Sequence, residues 1–146
     1  MKALKIWIID DGIPGHSGIT DGLVGLIGGL RAVTVTRIAV GWRLGGTRQI
    51  FQFIEKLGVR VPAFLVHATA KMALPAGPPP DLIVSRGGGT LFLNAWLARN
   101  TGAANVFIGT IRNMPPRLFR AAILPRRVSK GPPYFQMPQL PTRIDA

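Results

Sequence analysis

Two short stretches hold the residue types that do chemistry. The first is Asp11-Gly12-Ile13-Pro14-Gly15-His16, a carboxylate and an imidazole separated by a Gly/Pro turn. Gly12 and Gly15 let the backbone turn tightly and approach a ligand closely, and Pro14 stiffens the turn. His16 falls where a helix begins, a position that favours a neutral, hydrogen-bonding ring. Asp11 is within reach of the same space. Either residue could serve as a general base or bind a hydroxyl. The plain alternative is a tight turn in which both only cap backbone groups.

The second stretch is Ser85-Arg86-Gly87-Gly88-Gly89-Thr90. Three glycines followed by a hydroxyl at the N-cap leave backbone N–H groups free at the positive end of a helix. Arg86 adds a bidentate anion donor. A phosphate or the polar face of a sugar suits this pattern, and a bare Gly-rich turn is the alternative. Neither stretch matches a nucleotide fingerprint: GxxxxGK[ST] is absent, and the glycines of residues 12–18 are not spaced GxGxxG. With two histidines, His16 and His67, and no cysteine, a transition-metal site is not expected. His67 sits in an apolar segment and reads as a packed or surface residue. No GxSxG elbow occurs. Trp7, Trp42 and Trp96 are spread along the chain and read as core or edge aromatics, without forming a stacking platform for bases.

The elements around these stretches predict an α/β fold. Leu4–Ile9 is a continuous apolar run, as expected of a central parallel strand. Ser17–Leu30 reads as a helix with Ile19, Leu23, Leu26, Ile27 and Leu30 in one stripe. Its glycines at 18, 22, 25, 28 and 29 suggest close packing on a sheet. Ala32–Val40 is a strand ended by Gly41–Gly46. Thr47–Leu57 is a helix with Ile50, Phe51, Phe53 and Ile54 inward and Gly58 as its C-cap. Pro62 opens a second helix through Leu74, and Pro75–Pro80 is a stiff linker. Asp81–Ser85 is a buried strand, and Thr90 caps the helix Leu91–Asn100. Ala104–Ile108 is a strand, Pro115–Arg120 a turn or short helix, and Ala121–Leu124 the last strand. Residues 1–124 thus form a Rossmann-like open parallel sheet with helices on both faces. Residues 125–146 are a Pro-rich basic tail or linker.

The 146 residues suffice for one core, and a hydrophobic fraction of 47% argues against disorder. No run approaches the ~18 to 20 apolar residues of a membrane-spanning helix. Asp10 and Asp11 end the N-terminal apolar run before it could act as a signal peptide. The expected location is cytoplasmic, with a peripheral place at the inner face of a membrane. The charge is uneven: residues 1–30 are net −1, residues 31–80 net +6 and residues 81–146 net +7, giving +12 overall. Such a field favours an anionic membrane surface, phosphate-bearing ligands or nucleic acid, or is simply a solvated basic surface. Nucleic acid is the least expected, because no aromatics interleave with the arginines.

Trp7-Ile-Ile-Asp-Asp11-Gly12-Ile-Pro14-Gly15-His16 resembles the W-x-L-T-D-G-x-P-G-H opening of the mitochondrial-fission ELM1-like family. Pro80-Asp81-Leu-Ile-Val-Ser-Arg-Gly-Gly-Gly is similar to that family's P-D-[LV]-[IV]-x-x-G-[RH]. Asn105-Val-Phe-Ile-Gly-Thr and Phe119 to Pro125-Arg126 look like its next two strands. Departures fall at Ser17-Gly18-Ile19 (usually E-N-Q), Thr110-Ile111 (usually D-P) and Arg127 (usually H). The resemblance implies the N-terminal, acceptor-side half of a GT-B glycosyltransferase-like fold. Asp11, Gly12, Pro14, Gly15, His16 and Arg86–Gly89 would face the cleft. It implies no cofactor in this half and a nucleotide sugar held by a C-terminal GT-B-like domain as partner. It also implies no turnover by this chain alone; the basic face, for its part, would lean on an anionic membrane or a phosphate-bearing acceptor.

Overall fold

In a computed structural model, residues 2–112, 114–124 and 131–137 are described. The chain runs β1 (Leu4–Asp10), α1 (Pro14–Leu30), β2 (Val33–Trp42), α2 (Thr47–Lys56), α3 (Ala63–Thr69), β3 (Ala70–Met72), β4 (Leu82–Arg86), α4 (Leu91–Thr101) and β5 (Ala104–Ile108). A 3₁₀ turn (Pro116–Leu118), β6 (Ala121–Leu124) and β7 (Tyr134–Gln136) complete it. The strands make one sheet in the order β3-β2-β1-β4-β5-β6-β7. Every pairing is parallel except the antiparallel β2–β3 edge.

Side-chain alternation along the strands explains why the sheet needs helices on both faces. Ile6 and Ile8 of β1 meet Leu23 and Val24 of α1, with Val84 and Ile108 beside them. Trp7 and Ile9 point the other way, into a larger cluster with Ile83, Phe107 and the buried side of α4. Residues Leu91 to Ala98 of α4 are all buried, as its nearly continuous apolar run requires, and Asn94 within it is bonded to Ser85 and Val106. The outcome is a Rossmann-like α/β sheet with its centre at β1 and β4.

Several local expectations change. Helix α1 begins at Pro14 and not at Ser17, because proline at the first helical position gives up an N–H that has no partner there anyway. Its glycines do not pack closely: a Cβ at Gly18, Gly25 or Gly29 would meet nothing within 4 Å. Leu26 and Leu30 leave the expected stripe and are exposed. Helix α2 keeps Phe51 and Ile54 of its expected inward face and loses Ile50 and Phe53 from it. Phe51 packs on Trp42 and Phe92 with centroids 5.8 and 5.2 Å away, and buried Glu55 pairs with Arg99. Those anchors bring Phe51, Gln52 and Glu55 inward and swing Ile50 and Phe53 to solvent. The helix expected from Pro62 to Leu74 stops at Thr69. Ala70–Met72 instead pairs with Val40–Trp42, closing the open edge of β2. β6 is not the last strand, since Tyr134–Gln136, within the segment read as a tail, pairs with it. The expectations at Pro125, Arg126 and Arg127, and for residues 138–146, lie outside the described residues.

Candidate functional site

Next to β1 the sheet changes direction: β2 lies on one side of it and β4 on the other. The carboxyl ends of β1 and β4 therefore flank the crevice where open α/β sheets collect ligands. Both chemically endowed stretches emerge there, the first after Asp10 and the second after Arg86.

In the first turn each aspartate has a separate task. Asp10 accepts hydrogen bonds from the Gly12 N–H (2.8 Å) and the Ser17 hydroxyl (3.1 Å) through Oδ1, and from Arg37 (3.0 Å) through Oδ2. Partial burial acts to raise its pKa, but the bonds from Gly12, Arg37 and Ser17 and the Arg37 charge outweigh burial and hold it below the ordinary 3.8. Arg37 also reaches Asp21 on α1, so Asp10 belongs to a clamp between β1, β2 and α1. Asp11 faces the crevice. Its Oδ1 accepts the Ile13 N–H at 3.1 Å, and its Oδ2 accepts Nδ1–H of His16 at 2.9 Å. That pairing fixes the ring and leaves Nε2 as the atom with a free lone pair. His16 lines the cleft and stays partly exposed.

The second turn packs directly against this pair. Gly87 has φ +99°, and a Cβ there would sit 2.5 Å from both Asp11 Oδ2 and His16 Nδ1. Only glycine fits. Around the next two residues the guanidinium groups gather: a Cβ at Gly88 would lie 3.5 Å from Arg112 Nη2 and 3.7 Å from Arg48 Nη1. Arg112 takes φ +50°, an uncommon conformation for a residue with a Cβ. Arg48, Arg86 and Arg112 make no ion pair among the described residues. The turn itself is held by Trp42, whose Nε1–H donates to the Gly89 carbonyl at 2.9 Å.

Beside these turns, at the carboxyl ends of β4 and β5, a cleft of about 290 Å³ is lined by His16, Arg86–Gly88, Phe107–Thr110 and Arg112. That is at the lower limit of the roughly 300–1,000 Å³ typical of small-molecule sites.

Of the residues expected at a site, the structure brings together Asp11, His16, Arg86, Gly87, Gly88 and Gly89. Gly12, Pro14 and Gly15 are exposed on the approach to α1 and are not among the residues lining the cleft. Ser85 is a correction. Strand alternation puts it in the core with Ile83, where its Oγ accepts from Asn94 Nδ2 at 2.8 Å. Thr90 is another: it precedes α4, but its buried hydroxyl donates backwards to the Arg86 and Gly87 carbonyls and does not cap the helix. Arg48, Gly109, Thr110 and Arg112 were not read from sequence as site residues. Gly109 and Thr110 carried one usable signal, their place at the carboxyl end of a parallel strand. Arg48 and Arg112 carried none, since tertiary folding alone brings them to Gly88.

Among the described residues, no group of three or more His, Asp or Glu side chains is placed to hold a metal ion, and no helix is long and apolar enough to cross a membrane. Comparison of the chain with protein-family models, with curated proteins and with solved structures found no match.

Proposed function

We propose that this chain is the acceptor-side domain of a GT-B-like, ELM1-like sugar-transfer protein, acting on a phosphate-bearing acceptor. The observation that carries the reading is the 2.9 Å hydrogen bond from His16 to Asp11 at the mouth of an arginine-lined cleft. Asp11 orients the ring. His16 Nε2 takes the proton of the acceptor hydroxyl as that oxygen bonds to the anomeric carbon of the donor sugar. The bond from that carbon to the nucleoside diphosphate breaks, and the diphosphate leaves with the electron pair. Arg86 and Arg112 hold the acceptor's phosphate beside the glycine turn. The donor nucleotide sugar is bound by a C-terminal domain, and the site of action is the cytoplasmic face of a membrane. A second reading, a binding domain without chemistry, is favoured by the helix after His16. The Ser17 hydroxyl is turned to Asp10, and Gly18 and Ile19 add no polar group.

The test is an NMR titration of the chain with sugar phosphates and with nucleotide sugars, following the Gly87–Gly89 amides and the His16 ring. Sugar phosphates are expected to saturate these signals and nucleotide sugars to bind at least ~10-fold more weakly. Tighter binding of nucleotide sugars would move the domain to the donor side and sink the proposal. With a donor-side domain supplied, His16→Ala should lower kcat by about 10²–10⁴-fold. Unchanged turnover would remove His16 as the base, and unchanged phosphate binding without any turnover would leave the binding-domain reading.

A further inference from the structure

Helix α2 packs Phe51 and Ile54 on the core, yet a second apolar stripe faces away from the protein. Ile50, Phe53 and Leu57 recur at the spacing of one helical face, and each is more than half exposed. The chain goes on exposing large apolar side chains at Val59 and Phe64. Isolated exposed apolar residues need no explanation, but a stripe of this kind on one element marks an interaction surface. On the inward side of the same helix Phe51 and Ile54 pack on the core, with Gln52 and Glu55 buried beside them.

The charges beside the stripe indicate what it meets. Arg43, Lys56 and Arg60 are exposed. Glu55 is the sole acidic residue between Arg31 and Pro80, and its carboxylate is buried against Arg99. The outward surface of this region therefore presents apolar side chains with cations and no exposed carboxylate. A second copy docked face to face would set these cations against their own equivalents. An anionic lipid surface complements both features, taking the apolar side chains below the headgroups and pairing the cations with phosphates.

We infer that the outer face of α2 is a membrane-docking surface for anionic lipid. This rests on the exposed stripe and its charge, and not on the chemistry of the cleft. The two are linked through α2, because Arg48 in its first turn lies beside Gly88. Docking would hold the cleft mouth close to the headgroups.

Co-sedimentation of the whole chain with vesicles tests the inference. Wild type is expected to pellet with phosphatidylcholine vesicles containing about one third phosphatidylglycerol and to stay in solution with pure phosphatidylcholine. Phe53→Ser combined with Leu57→Ser is expected to lower partitioning about tenfold or more, with an unchanged melting curve. Lys56→Glu with Arg60→Glu, which leaves the apolar stripe intact, is expected to lower it about fivefold or more. Failure of wild type to pellet overturns the inference. Equal partitioning of wild type and both variants also overturns it, because the lipid then meets another basic surface. So does a dimer in sedimentation velocity that Phe53→Ser with Leu57→Ser dissociates while vesicle binding is absent.

Discussion

The turns after β1 and β4 hold equivalent places at the centre of the sheet, yet they use their polar groups in opposite ways. In the first turn both carboxylates are engaged: Asp10 accepts from Gly12, Ser17 and Arg37, and Asp11 accepts from Ile13 and His16. What it leaves over is one imidazole nitrogen. In the second turn the Gly88 N–H has no partner among the described residues, and Arg86, Arg48 and Arg112 stand beside it without carboxylates. A turn whose carboxylates are both engaged is held in place and aims one imidazole nitrogen, which suits chemistry. A turn with unmet donors is receptive, which suits recognition of an anion. On the function proposed above, proton transfer falls to the first turn and phosphate binding to the second.

The strongest way to break this division is to push the turns apart. Gly87→Val places a branched side chain at φ +99°, where even a Cβ would overlap the Asp11–His16 pair. The cost is expected at about 3–5 kcal/mol, combining backbone strain and overpacking, and urea unfolding measures it. Gly89→Ala is the matched control. Its φ is ordinary, its nearest neighbour is Arg48 Nη1 at 3.5 Å, and that side-chain end can move, so its cost should stay within about 0.5 kcal/mol. Similar costs for both would mean that the turns do not pack as described.

Next in size is a change that separates recognition from folding. Arg112 holds φ +50°, a conformation that asparagine tolerates better than most residues with a side chain. Arg112→Asn should therefore keep stability within about 0.5 kcal/mol while lowering the affinity for a sugar phosphate about tenfold, as expected for one charge-assisted contact. Calorimetry with the phosphate and unfolding of the same variant give both numbers. An unchanged affinity would mean that the second turn binds without Arg112 and that its positive φ serves only the chain path.

How much of this was legible depends on how local each cause is. β1, β4 and β5 could be read because a parallel strand covered on both faces is apolar in itself, and α4 because all its sides are buried. α2 has a clear period, but only Phe51 and Ile54 of its expected inward face turn inward, while Ile50 and Phe53 do not. Its orientation comes from Phe51 stacking on Phe92 and from Glu55 meeting Arg99, partners far away in sequence. The end of α3 was hidden for a similar reason, since Ala70–Met72 becomes a strand only because β2 offers an unpaired edge. β7 lay in a stretch whose prolines masked three residues that pair with β6. In the site, Asp11, His16 and the glycine turn announced themselves by residue type. Ser85 and Thr90 carry equally suitable hydroxyls, but one is turned into the core by strand alternation and the other bonds back to its own turn.

The smallest expected effect concerns the first turn alone. Asp10 has its pKa lowered in the folded chain: burial opposes the shift, and the bonds from Gly12, Arg37 and Ser17 overcome it. A carboxyl with a lowered folded pKa adds stability that is fully present above its unfolded value, here 3.8. The contribution is lost as pH falls through the lower, folded value. The difference in urea midpoint between wild type and Asp10→Asn should accordingly be flat from neutral pH down to about pH 4.5 and shrink below about pH 4. Because Arg37 is part-exposed, added salt should narrow the difference as well. A difference that stays constant through the acid range would detach Asp10 from the stability of the turn. The aiming of His16 would then rest on Asp11 and the packing of Gly87, without support from the Asp10–Arg37 clamp.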